Sequence, residues 1–199
     1  MKILLLGKNG QVGWELQRAL APLGDVIALD RHGLNSLSGD MTQPQAIYDT
    51  ILAVQPDVVV NASAYTAVDL AETEQELADI INHQTVKAAA EACQETNALL
   101  VHYSTDYVFE GTGTTAFVET DAIAPLNVYG KTKALGEQAI VDSGCRYLIF
   151  RTSWVYASRA KNFLKTMLSL AQQREELSII DDQIGAPTSV SYTHLTLPT

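Results

Sequence analysis

Apolar residues along this chain occur in short continuous runs that alternate with stretches of helical periodicity. Residues 3–6 and 58–60 are continuously apolar, as in strands that are buried on both faces. Between them Val12, Leu16 and Leu20 recur at four-residue steps, which is typical of an amphipathic helix. The same reasoning predicts strands at 3–6, 25–30, 58–60, 98–103, 147–151 and 177–180, and later helices at 45–54, 72–96, 128–141 and 162–173.

The alternation of strands with helices predicts an α/β fold, a Rossmann-like doubly wound parallel sheet. Such a sheet binds its ligand outside the carboxyl ends of its strands. The loops that follow Leu6, Val60 and Tyr103 are therefore where we look for chemistry.

Composition narrows the classes of partner. The chain has 199 residues, a formal net charge of −10 and a pI near 4.7, which argues against a nucleic acid or an anionic membrane as partner. Cys93 and Cys145 are far apart, so we expect neither a disulfide framework, nor a metal site, but two small buried residues. No apolar run reaches transmembrane length, and a cytoplasmic enzyme is the expectation.

Three glycines follow the first predicted strand directly. Gly7 can make the tight turn, Gly10 can let the backbone approach a pyrophosphate, and Gly13 can let the helix lie close to the strand. The helix that starts here offers unpaired N–H groups to phosphate. The residues of this turn that we expect to hold a dinucleotide are Gly7, Asn9, Gly10, Gln11, Val12 and Gly13.

Two acidic positions are candidates for the adenosine half of that ligand. Asp30 ends the second strand, where a carboxylate can accept hydrogen bonds from a ribose, which favours NADH. Arg31 follows and could pair with a 2′-phosphate instead, so NADH and NADPH both stay open. Gly39 and Asp40 precede the second helix, and Asp40 is either an adenine contact or a residue of the helix N-terminal turn.

Tyr129 and Lys133 are four residues apart in a predicted helix, so they share one face. An ammonium group beside a phenol stabilises the phenolate and lets the tyrosine exchange a proton near neutral pH. Thr105, at the end of the fourth strand, can hydrogen-bond a substrate carbonyl. We expect Thr105 rather than Ser104 to face the cleft, because strand side chains alternate.

These motifs together resemble those of the extended short-chain dehydrogenase/reductases. They share the family's order and spacing: Gly7-x-x-Gly10-x-x-Gly13, Asn61-Ala62-Ser63-Ala64, Ser104-Thr105-Asp106 and Tyr129-x-x-x-Lys133. Longer segments narrow the resemblance to the dTDP-4-dehydrorhamnose reductases: residues 7–16, 103–109, 124–130, 150–156 and 182–188.

The resemblance implies NAD(P)H-dependent reduction of the C4 ketone of a dTDP-linked sugar, dTDP-4-dehydro-L-rhamnose, to dTDP-L-rhamnose. It implies that Tyr129 is the proton donor, that Lys133 holds the nicotinamide ribose and tunes Tyr129, and that Thr105 assists. It further implies a cofactor loop of Ala62, Ser63, Ala64 and Thr66, and substrate contacts from Ser104, Thr105, Asp106, Trp154 and Asn162. For Trp154 the alternative is a core aromatic, and for Asn162 a helix cap.

The resemblance covers residues 1 to about 190, which we expect to form an NAD(P)-binding Rossmann domain that carries the catalytic residues. Residues 191–199 are expected to be a non-family tail, from truncation or sequence assembly, with the family's C-terminal substrate lobe largely missing. Any Mg²⁺ site or homodimer contact of the full-length family is then expected to use residues outside this chain. Two other functions stay open: a related nucleotide-sugar epimerase or dehydratase, and a non-catalytic NAD(P)-binding regulatory subunit.

Overall fold

A computed structural model describes residues 1–179 and 183–191 of the chain. The strands are β1 Lys2–Leu6, β2 Asp25–Leu29, β3 Val58–Asn61, β4 Leu99–Thr105, β5 Arg146–Thr152, β6 Val155–Tyr156 and β7 Thr188–Ser189. The helices are α1 Gln11–Leu20, α2 Pro44–Val54, α3 Val68–Ala71, α4 Gln75–Asp79, α5 Thr85–Thr96, α6 Val128–Ser143 and α7 Phe163–Ala171.

The central feature is a five-stranded parallel sheet in the order β2-β1-β3-β4-β5. The chain leaves β1 toward β2 on one side, and β3 then pairs with β1 on its other side. This reversal puts the loops after β1 and β3 next to each other, with the Ala62 amide donating to the Leu6 carbonyl at 3.0 Å. The predicted doubly wound α/β fold is confirmed.

Both faces of β1 and β3 are covered, as their apolar residues predict, whereas Phe150 of β5 is 36% exposed. Leu4 and Leu6 of β1 pack into one cluster with residues of α2, α5 and α6, whereas Ile3 and Leu5 point to the other face and meet Leu16 of α1. Strand side chains alternate between faces, so a strand covered on both sides must be apolar at every position. Cys93 and Cys145 are free thiols in the first cluster, as expected.

The helix predicted at 72–96 is continuously helical from Gln75 to Thr96, but it is not α-helical throughout. A π-helical turn at Ile80–Gln84 joins α4 to α5. Asn82 lies in this turn, and its amide bonds both the N–H and the carbonyl of Tyr65 and the hydroxyl of Thr132. The alanine-rich composition favours helix throughout, but these tertiary bonds to a loop and to α6 decide the local geometry.

The strand predicted at 177–180 is wrong for residues 177–179, which form no strand, while Ile180 lies outside the described residues. β6 and β7 instead form a separate two-stranded ladder. Pairing with a neighbour defines a strand, and an apolar run by itself does not disclose a partner. Residues 192–199, most of the predicted tail, also lie outside the described residues. In the described parts of the chain, no helix has the length and apolar character needed to span a membrane.

Candidate active site

A cleft of about 950 Å³ opens at the carboxyl ends of β1, β3 and β4. It collects most of the predicted site residues: Gly7, Asn9, Gly10, Gln11, Val12, Asp30, Arg31, Gly39, Asp40, Ala62, Ser63, Ala64, Thr66, Ser104, Thr105, Asp106, Tyr129, Lys133 and Trp154. Gly13 and Asn162 are not part of its lining. Residues that the sequence did not single out complete the wall, among them Val68, Leu77, Ile81 and Tyr107.

The three glycines of the turn differ in whether the surrounding structure requires a glycine. Gly7 has φ +89°, a conformation that favours glycine. A Cβ on Gly13 would lie 2.1 Å from the Gly7 carbonyl oxygen, so Gly13 permits close packing of helix and turn. A Cβ on Gly10 would meet that oxygen at 3.5 Å, an ordinary contact. The protein's own packing therefore does not require glycine at position 10, and the backbone there is open to the approach of a ligand.

Asp30 lies at the rim of the cleft, bound by its neighbours. Its carboxylate accepts hydrogen bonds from the His32 amide at 2.9 Å and from Asn9 at 2.8 Å, and the ammonium of Lys8 is 3.5 Å away. The backbone N–H of His32 lowers the pKa of Asp30, with help from Asn9 and Lys8 and against partial desolvation. Asp30 is therefore anionic, with its charge offset by Lys8, while Arg31 also lines the cleft.

Gly39 and Asp40 reach the same cleft from the start of α2. Asp40 accepts hydrogen bonds from the amide and the hydroxyl of Thr42 at 3.0 and 2.8 Å, the geometry of a turn that leads into a helix. A Cβ on Gly39 would lie 2.4 Å from the Asp30 carbonyl oxygen. The structure thus gives both residues local roles while keeping them on the wall of the cleft.

Tyr129 is 9% exposed and lies at the first turn of α6. Burial raises its pKa to about 12, and a hydrogen bond with the Thr105 hydroxyl acts in the opposite direction. Thr105 also donates to Asp106 at 3.1 Å and accepts from the Tyr107 amide at 3.2 Å. The phenol is therefore held protonated beside the threonine, as a proton donor must be.

Lys133 is buried, with 1% of the residue exposed. Its Nζ donates to the Tyr103 carbonyl at 2.7 Å and lies 3.1 Å from His102 Nε2. Desolvation lowers the pKa of Lys133 to about 8, although Glu137 acts to raise it. The spacing of Tyr129 and Lys133 predicted an ammonium that lowers the pKa of the phenol. The nitrogen instead bonds to β4, because burial demands partners for it.

Three polar side chains around Lys133 were missed by the sequence reasoning. His102 is 0% exposed, Asn61 lies opposite it in the β3–β4 register, and Glu137 forms a 2.6 Å ion pair with Arg151. A histidine inside an otherwise apolar strand is the signal that could have found this group, since a buried imidazole requires partners.

Ser104 and Thr105 both line the cleft, although we expected only Thr105 to do so. The Ser104 hydroxyl is buried and has no hydrogen-bond partner among the described residues. An unsatisfied buried hydroxyl costs about 1–3 kcal/mol, which a ligand that bonds to it would offset.

Trp154 and Asn162 have different surroundings. Trp154 lines the cleft, is 42% exposed and stacks edge-to-face on Phe163 at 5.2 Å, so it is not the core aromatic that we considered. Asn162 caps α7 by accepting from the Lys165 amide at 3.0 Å, and its amide group donates to Gln11 and to the Ala157 carbonyl. Of the two alternatives for Asn162, the structure shows the helix cap, and its amide also links α7 to α1.

The donor set of the cleft does not suggest a metal ion. Among residues 1–179 and 183–191, no group of three or more His, Cys, Asp or Glu is placed to bind one. The Mg²⁺ that the resemblance implies for the full-length family receives no support from this part of the chain.

Comparison with known proteins fixes the family. A family model described as the RmlD substrate binding domain matches residues 1–194. The chain belongs to this family. The match extends past residue 190, where we expected the likeness to end. Among curated relatives, dTDP-4-dehydrorhamnose reductase of Salmonella typhimurium is 58% identical over 188 residues, and that of Escherichia coli K12 is 57% identical over 188.

These relatives are longer than the chain. The alignments cover 94% of this chain and 62% of each of the two relatives, so the chain spans less than two thirds of their length. A solved structure of dTDP-4-dehydrorhamnose reductase from Bacillus anthracis, in complex with NADP, is 38% identical. It superposes with a TM-score of 0.89 over 97% of this chain and 67% of that protein.

The glycine geometry generates the first prediction. Gly10→Ala should leave the free energy of unfolding within about 1 kcal/mol, because its φ of −70° and ψ of 169° suit alanine and its Cβ has room. It should weaken NADPH binding by about tenfold or more, because the Cβ occupies the ligand's approach. Gly13→Ala is the matched control and should lose about 1–3 kcal/mol of stability through the clash with Gly7.

Urea unfolding and titration with NADPH, followed by nicotinamide fluorescence, measure the two effects. Unchanged NADPH affinity in Gly10→Ala would show that no ligand approaches the turn there.

Proposed function

We propose that the full-length form of this protein reduces the C4 ketone of dTDP-4-dehydro-L-rhamnose to dTDP-L-rhamnose with NADPH or NADH. The observation that carries the proposal is the meeting, in one cleft, of the glycine turn after β1 with the buried pair of Tyr129 and Thr105. The names of the relatives and the NADP complex of the Bacillus anthracis protein support the same activity.

In this proposal residues 1–190 form the NAD(P)-binding domain, with the dinucleotide along the turn Gly7 to Gly13, the rim at Asp30 and Arg31, and the loop Ala62 to Thr66. The nicotinamide supplies a hydride to the C4 carbon. Tyr129 donates its phenolic proton to the C4 oxygen, and Thr105 hydrogen-bonds that oxygen and orients the phenol. Lys133 meets the nicotinamide ribose from the floor of the cleft. Ser104, Asp106 and Trp154 are the proposed contacts of the sugar nucleotide.

Specific residues argue against the two other functions, a dehydratase and a non-catalytic regulatory subunit. A dehydratase would use an acidic pair next to Thr105, whereas Asp106 is followed by Tyr107, whose ring packs edge-to-face on Tyr129 at 5.6 Å. A non-catalytic regulatory subunit has no need for Tyr129, Lys133 and Thr105 in one cleft. A homodimer and a cytoplasmic location remain predictions for the full-length protein.

The activity is tested by assaying this 199-residue chain beside a chain extended to the length of the relatives, with dTDP-4-dehydrorhamnose and NADPH. We expect the extended chain to turn over the sugar nucleotide and the 199-residue chain to bind NADPH weakly and turn over very poorly, because a large part of the relatives' length has no counterpart here. Equal activity of the two would show that the additional segment is dispensable. No turnover by the extended chain would overturn the proposed reaction.

Replacing Tyr129 by Phe in the extended chain removes the proton donor and little volume. Turnover should fall by roughly two to four orders of magnitude while NADPH binding persists. Tyr147→Phe is the control, because it removes a phenol from the exposed side of β5. Steady-state rates of both variants decide the matter, and near-normal turnover in Tyr129→Phe would contradict the assignment.

Arg31 is predicted to select between the two cofactors. Arg31→Ala should weaken NADPH and leave NADH nearly unchanged, because only NADPH carries a 2′-phosphate for the guanidinium to pair with. Arg146→Ala removes the same charge at the opposite end of the sheet, at the start of β5, and should affect neither. Dissociation constants for both cofactors are the measurement, and an equal loss for NADH and NADPH would show that Arg31 does not discriminate.

A further inference from the structure

A buried chain of hydrogen bonds joins the loop after β3 to Lys133. The Ser63 amide donates to Asn61 Oδ1 at 3.0 Å, and Asn61 Nδ2 lies 3.1 Å from His102 Nδ1. On the other side of the ring, His102 Nε2 lies 3.1 Å from Lys133 Nζ, which donates to the Tyr103 carbonyl at 2.7 Å. Asn61, His102 and Lys133 are 1%, 0% and 1% exposed, so water does not complete these contacts.

The positions of the hydrogens follow from counting donors. The Ser63 N–H fixes which end of the Asn61 amide is the oxygen, so the Asn61 NH₂ group must face His102 Nδ1. Desolvation by burial, the larger cause, holds the pKa of His102 well below its usual range, so the ring is neutral and carries one N–H. Nδ1 accepts from Asn61, and the ring hydrogen is therefore on Nε2, pointing at Lys133.

A hydrogen on His102 Nε2 needs an acceptor, and only an uncharged amine has a lone pair to offer. With an ammonium at Lys133, the ring would have to move its hydrogen to Nδ1, where it would meet the Asn61 NH₂ donor to donor. Turning the Asn61 amide would relieve that contact, but the NH₂ group would then face the Ser63 N–H. Every arrangement with an ammonium at Lys133 leaves two hydrogen-bond donors facing each other, whereas the arrangement with the neutral amine leaves no such pair.

We propose that Asn61, acting through the tautomer of His102, favours the neutral amine of Lys133, and that Lys133 takes up a proton when Asn61 releases the Ser63 N–H. Asn61 and His102 are positioning residues in this scheme, since neither reaches the reacting atoms. Ser63 lines the cleft within the proposed cofactor loop. A ligand atom that accepts the Ser63 N–H bond frees the Asn61 amide to turn, and so raises the proton affinity of Lys133; the coupling is reciprocal.

The functional meaning rests on the proposed function. An ammonium at Lys133 is what stabilises a phenolate at Tyr129 once the phenol has given up its proton. In this scheme that charge develops when the cofactor loop is engaged.

Other charged groups near Lys133 do not set its protonation state in place of Asn61 and His102. Glu137 is one turn further along α6 and acts to raise the pKa of Lys133, but its carboxylate is bound by Arg151 of β5 through three hydrogen bonds. Titratable groups on the elements packed around α6 include Tyr103 of β4, Asp106 and Tyr107 after it, Asp69 of α3, and His83, which is paired with Asp79. On α5, Lys87 and Glu91 are exposed and lie within ion-pair distance of each other.

The test is Asn61→Asp in the 199-residue chain. An aspartate oxygen can accept from the Ser63 N–H while the other accepts a hydrogen from His102 Nδ1, which moves the ring hydrogen and leaves Nε2 to accept from an ammonium. Two-bond ¹⁵N–¹H correlation spectra of the imidazole, with His102→Gln for assignment, should show the Nε2–H tautomer in the parent and the Nδ1–H tautomer in the variant. The protonation midpoint of Lys133, followed by its side-chain ¹⁵N signal, should rise by roughly one pH unit or more.

Gln94→Glu is the matched control, since it adds the same charge on the exposed side of α5 and should change neither signal. An Nδ1–H tautomer in the parent overturns the proposal even if Asn61→Asp does not fold. An unchanged tautomer in a folded Asn61→Asp overturns it as well. Neither readout depends on turnover, so a failure of the proposed reductase activity would be seen separately.

Discussion

Burial of Lys133 is the constraint on which the polar organisation of the cleft depends. A buried amine must have hydrogen-bond partners, because an unpaired polar group in the interior costs a few kcal/mol. The Tyr103 carbonyl at the end of β4 and the His102 ring supply those partners, and Asn61 in turn satisfies His102. The bonds tie α6, which carries Tyr129, to β4 and through His102 to β3, so the partners that Lys133 requires also hold Tyr129 against the sheet.

The topology supplies the rest of that arrangement. The strand register aligns Leu6, Asn61 and His102 across β1, β3 and β4. Asn61 and His102 are therefore neighbours in the sheet although they are 41 positions apart in the chain. The same alignment stacks the loops that begin at Gly7, Ala62 and Asp106 along one edge. A parallel sheet with its switch point between β1 and β3 therefore brings the glycine turn and Tyr129 to one cleft.

The sequence predicted the fold and most of the cleft because those features are written locally. Apolar strands, the glycine turn and the Tyr129–Lys133 spacing are each visible in a window of a few residues. The π-helical turn at Asn82, the bond from Asn162 to Gln11 and the partners of Lys133 could not be predicted this way, since each depends on a residue distant in the chain. Asn162 shows both cases: its cap of α7 is a local bond that the sequence offered as an alternative, whereas its bond to Gln11 of α1 depends on the fold.

Tyr107 gives the clearest physical reason to separate a simple reductase from enzymes that need a second acid in the cleft. Its ring packs edge-to-face on Tyr129 and is 38% exposed, so it occupies the wall beside the phenol with apolar surface. Asp106 is adjacent, but burial raises its pKa and the Thr105 hydroxyl donates to it, which engages the carboxylate with the group that positions Tyr129. A carboxylate bound in this way orients a donor. The cleft therefore holds the protonated phenol of Tyr129 beside Thr105, and the Asp106 carboxylate is engaged by the Thr105 hydroxyl.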